Sequence, residues 1–274
     1  MTERREYLFE NSAAEEQRLL AQGRLLDPLT RRVLLEAGLA PGMRVLDLGS
    51  GAGNVAMIAA ELVGPEGAVV GIDRDPEAVD RARRLMSETG RTNIEFREGD
   101  VQTLDGVEAG FDAVTGRLIL MYLADPVSAV RQAAARVKPG GVICMHEADL
   151  AYFWSSPQTA LWQQVRAWFL DVLEKAGAEP RMGLSLFSAY RAAGLPDPRL
   201  MLEAAIQGGP ATFAWGWANV IRGVMPLMER LGIATSNEVD PATLADRLLA
   251  EVLANDGIVI GPPLIGAWST VPAN

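Results

Sequence analysis

The chain has 274 residues, 49% apolar and 22% charged, with a mean hydropathy of +0.10, enough to bury one large core or a core with a smaller companion. Acidic residues number 35 against 25 basic ones, and the resulting net charge of −10 opposes a polyanionic partner such as nucleic acid. One cysteine, Cys144, and one histidine, His146, exclude an intrachain disulfide and a Cys/His zinc cage, which makes a reducing, cytoplasmic setting the expectation.

The opening twelve residues are charged and lack the apolar centre of a secretory signal. Leucines and Val33 set among charges predict helix across the first forty residues, with Asp27-Pro28 as a helix entrance. At Pro41-Gly42 the pattern changes to short apolar runs alternating with helical periodicity, the mark of a parallel sheet wrapped by helices. Strands are expected at 44–48, 68–72, 94–97, 111–115 and 142–146. Helices are expected at 54–63, at 76–88 between an Asp75 cap and Gly90, and at 126–137 after Asp125, ending at Pro139-Gly140-Gly141. Five β units within this span predict a doubly wound α/β sheet. Beyond it, 152–192 and 208–255 read as helical, the second with an entrance at Asp240-Pro241, and 200–206 and 264–270 read as two strands extending the sheet. The uncharged stretches 204–221 and 257–274 are interrupted by glycine, asparagine or proline, so no membrane span is expected.

The most informative segment is Val45-Leu46-Asp47-Leu48-Gly49-Ser50-Gly51-Ala52-Gly53. A strand ends, the chain turns on three glycines and a helix begins, which lets backbone approach a ligand beside a helix N-terminus. Shifted by two residues, Gly51-Ala52-Gly53-Asn54-Val55-Ala56 fits a dinucleotide turn. Asp47 argues against that, because its carboxylate would lie close to the pyrophosphate. A cationic ligand without phosphate would suit it. Further carboxylates follow at Asp73 and Asp100, 26 and 27 residues on, about one βαβ step each.

With these residues the chain resembles the class I S-adenosylmethionine-dependent methyltransferases. Asp47, Gly49, Gly51 and Gly53 match the family's first motif, Ile72-Asp73-Arg74 its ribose-binding carboxylate, and Glu98-Gly99-Asp100-Val101 its adenine-binding acidic residue. Phe111-Asp112-Ala113-Val114 and Val137-Lys138-Pro139-Gly140-Gly141 also look like the family. The resemblance implies a mostly parallel seven-stranded sheet of order 3-2-1-4-5-7-6 with strand 7 antiparallel. It implies S-adenosylmethionine as cofactor, held by Asp47, Gly49, Ser50, Gly51, Gly53, Asp73, Arg74, Asp100, Val101 and Arg117. The corresponding organisation is an N-terminal helical cap at 1–40, a Rossmann-like cofactor-binding core at 41–150, and a helical substrate cap with the last two strands at 151–274. Tyr7 and Gln22 are expected to close over the cofactor.

The acceptor side is less determined. His146 near the end of strand five lies where ligands bind in open α/β sheets, and it reads either as a general base or as a hydrogen-bonding residue that orients substrate. Glu147 beside it is the second catalytic candidate. Tyr122, after strand four, and Trp154, among the aromatic residues of the cap, are candidates for substrate contact, with core packing the alternative for both. The Asn/Asp/Ser-Pro-Pro-aromatic motif of enzymes that methylate amide or base nitrogens is missing, and no cysteine stands there as the nucleophile for pyrimidine C5 methylation. The expected partner is therefore a small-molecule acceptor, with no nucleic acid and no membrane, and a homodimer remains open. The expected function is methyl transfer to an O, N or C atom of a small, largely apolar metabolite. The alternatives are a non-methylating rearrangement or cyclisation with the same cofactor, and non-catalytic cofactor binding.

Overall fold

Short apolar strands and the amphipathic helices between them assemble in the predicted alternation. The computed structural model describes residues 13–273; Tyr7 lies outside them. In chain order the elements are α1 (Ala13–Glu36), β1 (Arg44–Leu48), α2 (Asn54–Val63), β2 (Ala68–Asp73), α3 (Pro76–Thr89), β3 (Ile94–Glu98), β4 (Phe111–Arg117), a 3-10 turn (Leu120–Tyr122), α4 (Pro126–Ala134), β5 (Val137–Ala148), β6 (Ser155–Ser156), α5 (Ala160–Lys175), α6 (Met182–Ala192), β7 (Arg199–Glu203), β8 (Ile206–Gly208), α7 (Ala214–Arg230), α8 (Ser236–Val239), α9 (Leu244–Ala254), β9 (Ile258–Ile260) and β10 (Leu264–Thr270). They form two units. Among the described residues, one comprises Leu26–Glu147, Met182–Leu202 and the segment from Leu264 onward, and the other comprises the part of α1 up to Leu25, Ala148–Arg181 and Glu203–Pro263.

The first unit is built on a seven-stranded sheet of order β3-β2-β1-β4-β5-β10-β7. Counting only these seven strands, this is the expected 3-2-1-4-5-7-6. Strands β1 to β5 are mutually parallel. β10 runs against β5: the Gly140 and Val271 amides donate to the Val271 and Gly141 carbonyls, while nine residues further along β5's direction the Asp149 amide donates to the earlier Pro263. Val45, Val69, Phe96, Ala113, Cys144 and Trp268 face one side of the sheet, where Val33 and Leu34 of α1 and the apolar faces of α2 and α3 cover them. Strands buried in this way need near-continuous apolar runs, which is why they were legible. α3 shows its ends clearly: the Asp75 carboxylate accepts from the Glu77 amide, Pro76 opens the helix, and Gly90 closes it in the left-handed region.

Several expected boundaries are corrected. Asp27-Pro28 does not open a helix; α1 runs through it with Pro28 inside, and the Asp27 carboxylate accepts from Arg117 rather than from a helix N-terminus. The helix after Asp125 ends at Ala134, and Val137 already belongs to β5. Lys138-Pro139-Gly140-Gly141 is thus an irregularity inside the strand: Phe111 pairs with Val137, but Ala113 pairs with Val142. A side chain at Gly141 would meet Val137 and the Asp112 carbonyl within 2.6 Å. Asp240 ends α8 in a left-handed conformation instead of starting a helix, and α9 begins after Thr243. The strand expected over 200–206 is two strands: β7 joins the large sheet, and β8 pairs with β9 in a separate small sheet of order β6-β9-β8.

The second unit holds that small sheet with α5, α7, α8 and α9. Trp154 and Trp217 stack there, ring centroids 3.6 Å apart, and their indole N–H groups donate to the Leu150 and Ile260 carbonyls. Among the described residues no helix is long and apolar enough to cross a membrane.

One side chain of α6 mends the junction of β5 and β10. The buried Tyr190 hydroxyl accepts from the Met145 amide at 3.1 Å and lies 2.8 Å from the Ala267 carbonyl, to which it donates. Tyr190→Phe removes both of these buried hydrogen bonds, so it is expected to lower unfolding free energy by about 1–3 kcal/mol. Urea denaturation of the two proteins measures this.

Candidate functional site

The turn between β1 and α2 carries three glycines in left-handed conformations. Gly49, Gly51 and Gly53 have φ of 65°, 52° and 90°, a region that costs other residues strain. A Cβ at Gly49 would lie 2.5 Å from Ile119, and one at Gly53 would lie 2.7 Å from Phe96, whereas at Gly51 nothing stands within 4 Å. The turn therefore packs at its two ends and is open in its middle, as a cradle for a ligand requires.

Asp47 follows Val45 by two positions and so faces the side of the sheet that α2 covers. Only 1% of its surface is exposed, and neither carboxylate oxygen has a hydrogen-bond partner. Burial pushes its carboxyl up to about 8, with the charge of Arg117 and the nearby Ala56 amide offsetting part of the effect. Ser50 Oγ is likewise buried without a partner. Unsatisfied acceptors at such depth are uncommon, and a cationic or N–H-bearing ligand would satisfy them.

Asp73, at the end of β2, organises the same turn. One carboxylate oxygen accepts from the Gly51 amide at 2.9 Å and the other from the Asp75 amide at 3.0 Å. Each oxygen keeps a lone pair, which suits a vicinal diol. Arg74 next to it is exposed. The β3 loop is tied to this edge by the Gly99 amide, which donates to the Asp73 carbonyl. In that loop Asp100 is exposed and accepts from the Gln102 amide, while Val101 is buried. These groups fit S-adenosylmethionine, whose ammonium, ribose and adenine ask for the donor and acceptor types present here.

The carboxyl ends of β4 and β5 carry the other candidates. Asp47 and Cys144 both pair with Thr115, and His146 pairs with Arg117. By strand alternation Asp47, Arg117 and His146 share one face. Arg117, expected at the cofactor, is engaged by α1: its Nη1 donates to Asp27 at 2.9 Å and to Thr30 Oγ1 at 2.8 Å. Thr30 Oγ1 in turn lies 3.3 Å from His146 Nδ1. Burial and the Arg117 charge push the imidazole down to about 3, and Nε2 is buried without a partner. Glu147 points to the opposite face. Its Oε1 accepts from the Ile119 and Leu120 amides at 2.9 and 2.7 Å, fixing the turn after β4, and burial pushes its carboxyl up to about 7. His146 and Glu147 therefore do not form a pair.

Tyr122 closes the 3-10 turn and is half-buried. Trp154 is not arranged as a substrate-contacting group: it is 1% exposed, stacked on Trp217 and beside Phe169, with its N–H already used. Asp27 and Thr30 were missed as site residues, because Asp27-Pro28 reads locally as a helix entrance and nothing near Thr30 in sequence announces His146. The Cys144 thiol is buried and pushed up to about 12, which leaves it inert. Among the described residues no group of His, Cys, Asp and Glu could hold a metal.

Residues 39–178 match the model of a family described as a methyltransferase domain. The chain is 32% identical over 111 residues to an arsenite methyltransferase of Halobacterium salinarum, covering 40% of this chain and 28% of that protein. It is 34% identical over 135 residues to the aklanonic acid methyltransferase DauC of Streptomyces, covering 49% of this chain and 60% of that protein. The aligned part thus spans less than two thirds of either relative. Among solved structures, a SAM-dependent methyltransferase from Aquifex aeolicus superposes with a TM-score of 0.51 at 15% identity, over 88% of this chain and 89% of that one, a likeness of fold.

The buried carboxyl of Asp47 gives a pH signature. Its folded pKa of about 8 exceeds the unfolded value of about 3.9, so the unfolded chain ionises first and stability falls as pH rises from about 4 to about 8. Asp47→Asn removes that loss. The variant without ligand is expected to be more stable than wild type at pH 8, by at least about 1 kcal/mol, with a smaller difference at pH 4. Denaturant midpoints at the two pH values decide it.

Proposed function

Because the chain belongs to the class I S-adenosylmethionine-dependent methyltransferases and so takes S-adenosylmethionine as cofactor, we propose that it methylates an O, N or C atom of a small, largely apolar metabolite in a reducing, cytoplasmic setting. The observation that carries the cofactor assignment to particular residues is the buried, unpartnered carboxylate of Asp47 beside an open glycine turn. The acidic balance of the chain supports a small acceptor over a polyanion. Two of the relatives it matches are named for arsenite and aklanonic acid, both small molecules.

When bound, the cofactor would supply a methyl group on a sulfonium, an electrophilic carbon whose leaving group is the neutral thioether of S-adenosylhomocysteine. Asp47 and the Gly49–Gly53 backbone hold the methionine portion, with Ser50 Oγ as a further polar contact. Asp73 takes the ribose hydroxyls on the lone pairs left over from the Gly51 and Asp75 amides, with Arg74 at its rim. Asp100 and Val101 hold the adenine through one acceptor and one apolar face. Arg117 acts on this site through its charge, which steadies the ionised form of Asp47. Much of the rate then comes from alignment of acceptor, methyl and sulfur and from exclusion of water. Of the two roles open to His146, a hydrogen-bonding one is favoured, since a ring pushed down to about 3 is a weak proton acceptor at neutral pH. Glu147 acts by holding the turn after β4, next to Tyr122.

Incubation with S-adenosylmethionine and a panel of small apolar acceptors, read by mass spectrometry, tests the activity. S-adenosylhomocysteine together with a product heavier by one CH2 is expected. A product of unchanged mass, or tight cofactor binding with no turnover on any acceptor, overturns the reading. Asp73→Ala is expected to weaken S-adenosylmethionine binding by about 1–3 kcal/mol, and unchanged affinity by calorimetry would remove Asp73 from the site.

A further inference from the structure

His146 is the one histidine of the chain, and it is 2% exposed. Its surroundings determine which ring nitrogen carries the proton. The Thr30 hydroxyl has one proton to give and two lone pairs to offer. It accepts from Arg117 Nη1 at 2.8 Å and donates to the Leu26 carbonyl at 3.1 Å. With the proton used and one lone pair left, the 3.3 Å contact with His146 Nδ1 requires the ring to be the donor. Nδ1 then carries the hydrogen, and every hydrogen-bonding capacity of Thr30 is met. The other tautomer would turn the Thr30 proton away from Leu26 and leave Nε2–H as a buried donor with no partner, a rarer defect than a spare lone pair.

Nε2 itself has no partner in the protein. It belongs to the face that carries Asp47, but His146 lies two residues nearer the carboxyl end than the level of Asp47 and two strands away, about 10 Å across the sheet. The group that satisfies Asp47 is therefore not the group that reaches Nε2. We propose that Thr30, itself held by Arg117, fixes His146 as the Nδ1–H tautomer, so that the buried Nε2 lone pair accepts a hydrogen bond from the methyl acceptor, which must carry an O–H or N–H group. Thr30 is a positioning residue, Arg117 orients it, and Asp27 anchors Arg117. Nε2 selects for a donor without removing its proton. The identity of the ligand rests on the methyl-transfer reading above; the tautomer stands independently of it.

The single histidine makes the test direct, since protein labelled with 15N in histidine shows one imidazole and needs no assignment. In the wild type Nδ1 is expected to be protonated and Nε2 to show the signature of a free lone pair, and addition of S-adenosylhomocysteine alone should leave that signature unchanged. Thr30→Val should shift the ring towards the other tautomer and lower kcat roughly tenfold with cofactor affinity retained, and Thr30→Ser should restore both. An Nε2–H ring in the wild type, a Thr30→Val spectrum identical to it, or a move of Nε2 on binding S-adenosylhomocysteine overturns the proposal. If Thr30→Val does not fold, the wild-type and Thr30→Ser spectra still decide. Turnover should be confined to acceptors with O–H or N–H; equal turnover of a fully substituted amine or a thioether overturns the selectivity. Failure of all methyl transfer, with the tautomer as expected, would sink the proposed function and leave the role of Thr30 in setting the ring intact.

Discussion

Asp47 ends β1 almost entirely out of water, with neither carboxylate oxygen hydrogen-bonded. An acid in that position is costly to ionise, and the site around it is arranged to make a ligand the remedy. The glycine turn leaves the space in front of it open at Gly51, Asp73 holds the turn in place from β2, and Arg117 supplies a positive charge from β4. Stability of the free chain is given up here for affinity, which is a common trade at binding sites.

The same parallel register that presents Asp47 also presents Arg117 and His146. Because β1, β4 and β5 pair without slippage over these residues, alternation puts all three side chains on the α1 and α2 side of the sheet. The consequence is a row of groups of different electrostatic character: an acid with a raised pKa, a permanent cation, and an imidazole kept neutral. Glu147, one residue further on, falls on the other face and serves the turn after β4. Adjacent in sequence, His146 and Glu147 are separated in function by the pleat.

α1 contributes more than cover. It carries Pro28 in its interior, where the missing N–H and the ring disturb the helical ladder, and the Thr30 hydroxyl bonds back to Leu26 within the same turn. Asp27 and Thr30 together neutralise and direct Arg117. The Asp27-Pro28 pair that reads as a start signal is thus the place, inside a continuous α1, where the helix meets the sheet's polar end.

The sequence by itself determined the alternating βα core, the glycine turn and the three carboxylates at successive strand ends. Each is a local feature, set by residue period, by the φ that glycine permits, and by a spacing of one βαβ step. The sheet order came from the family resemblance, applied to the two apolar runs that form β7 and β10. Tertiary structure decided what local pattern cannot encode. Thr30 meets His146 across 116 positions and Arg117 meets Asp27 across 90, so neither partner leaves a mark near the other. The aromatic residues around Trp154 read as a pocket or, more often at such spacing, as core, and stacking on Trp217 places Trp154 in the core. The strands β6, β8 and β9, two or three residues each, are too short to show a period, and they exist because distant segments supply each other's hydrogen bonds.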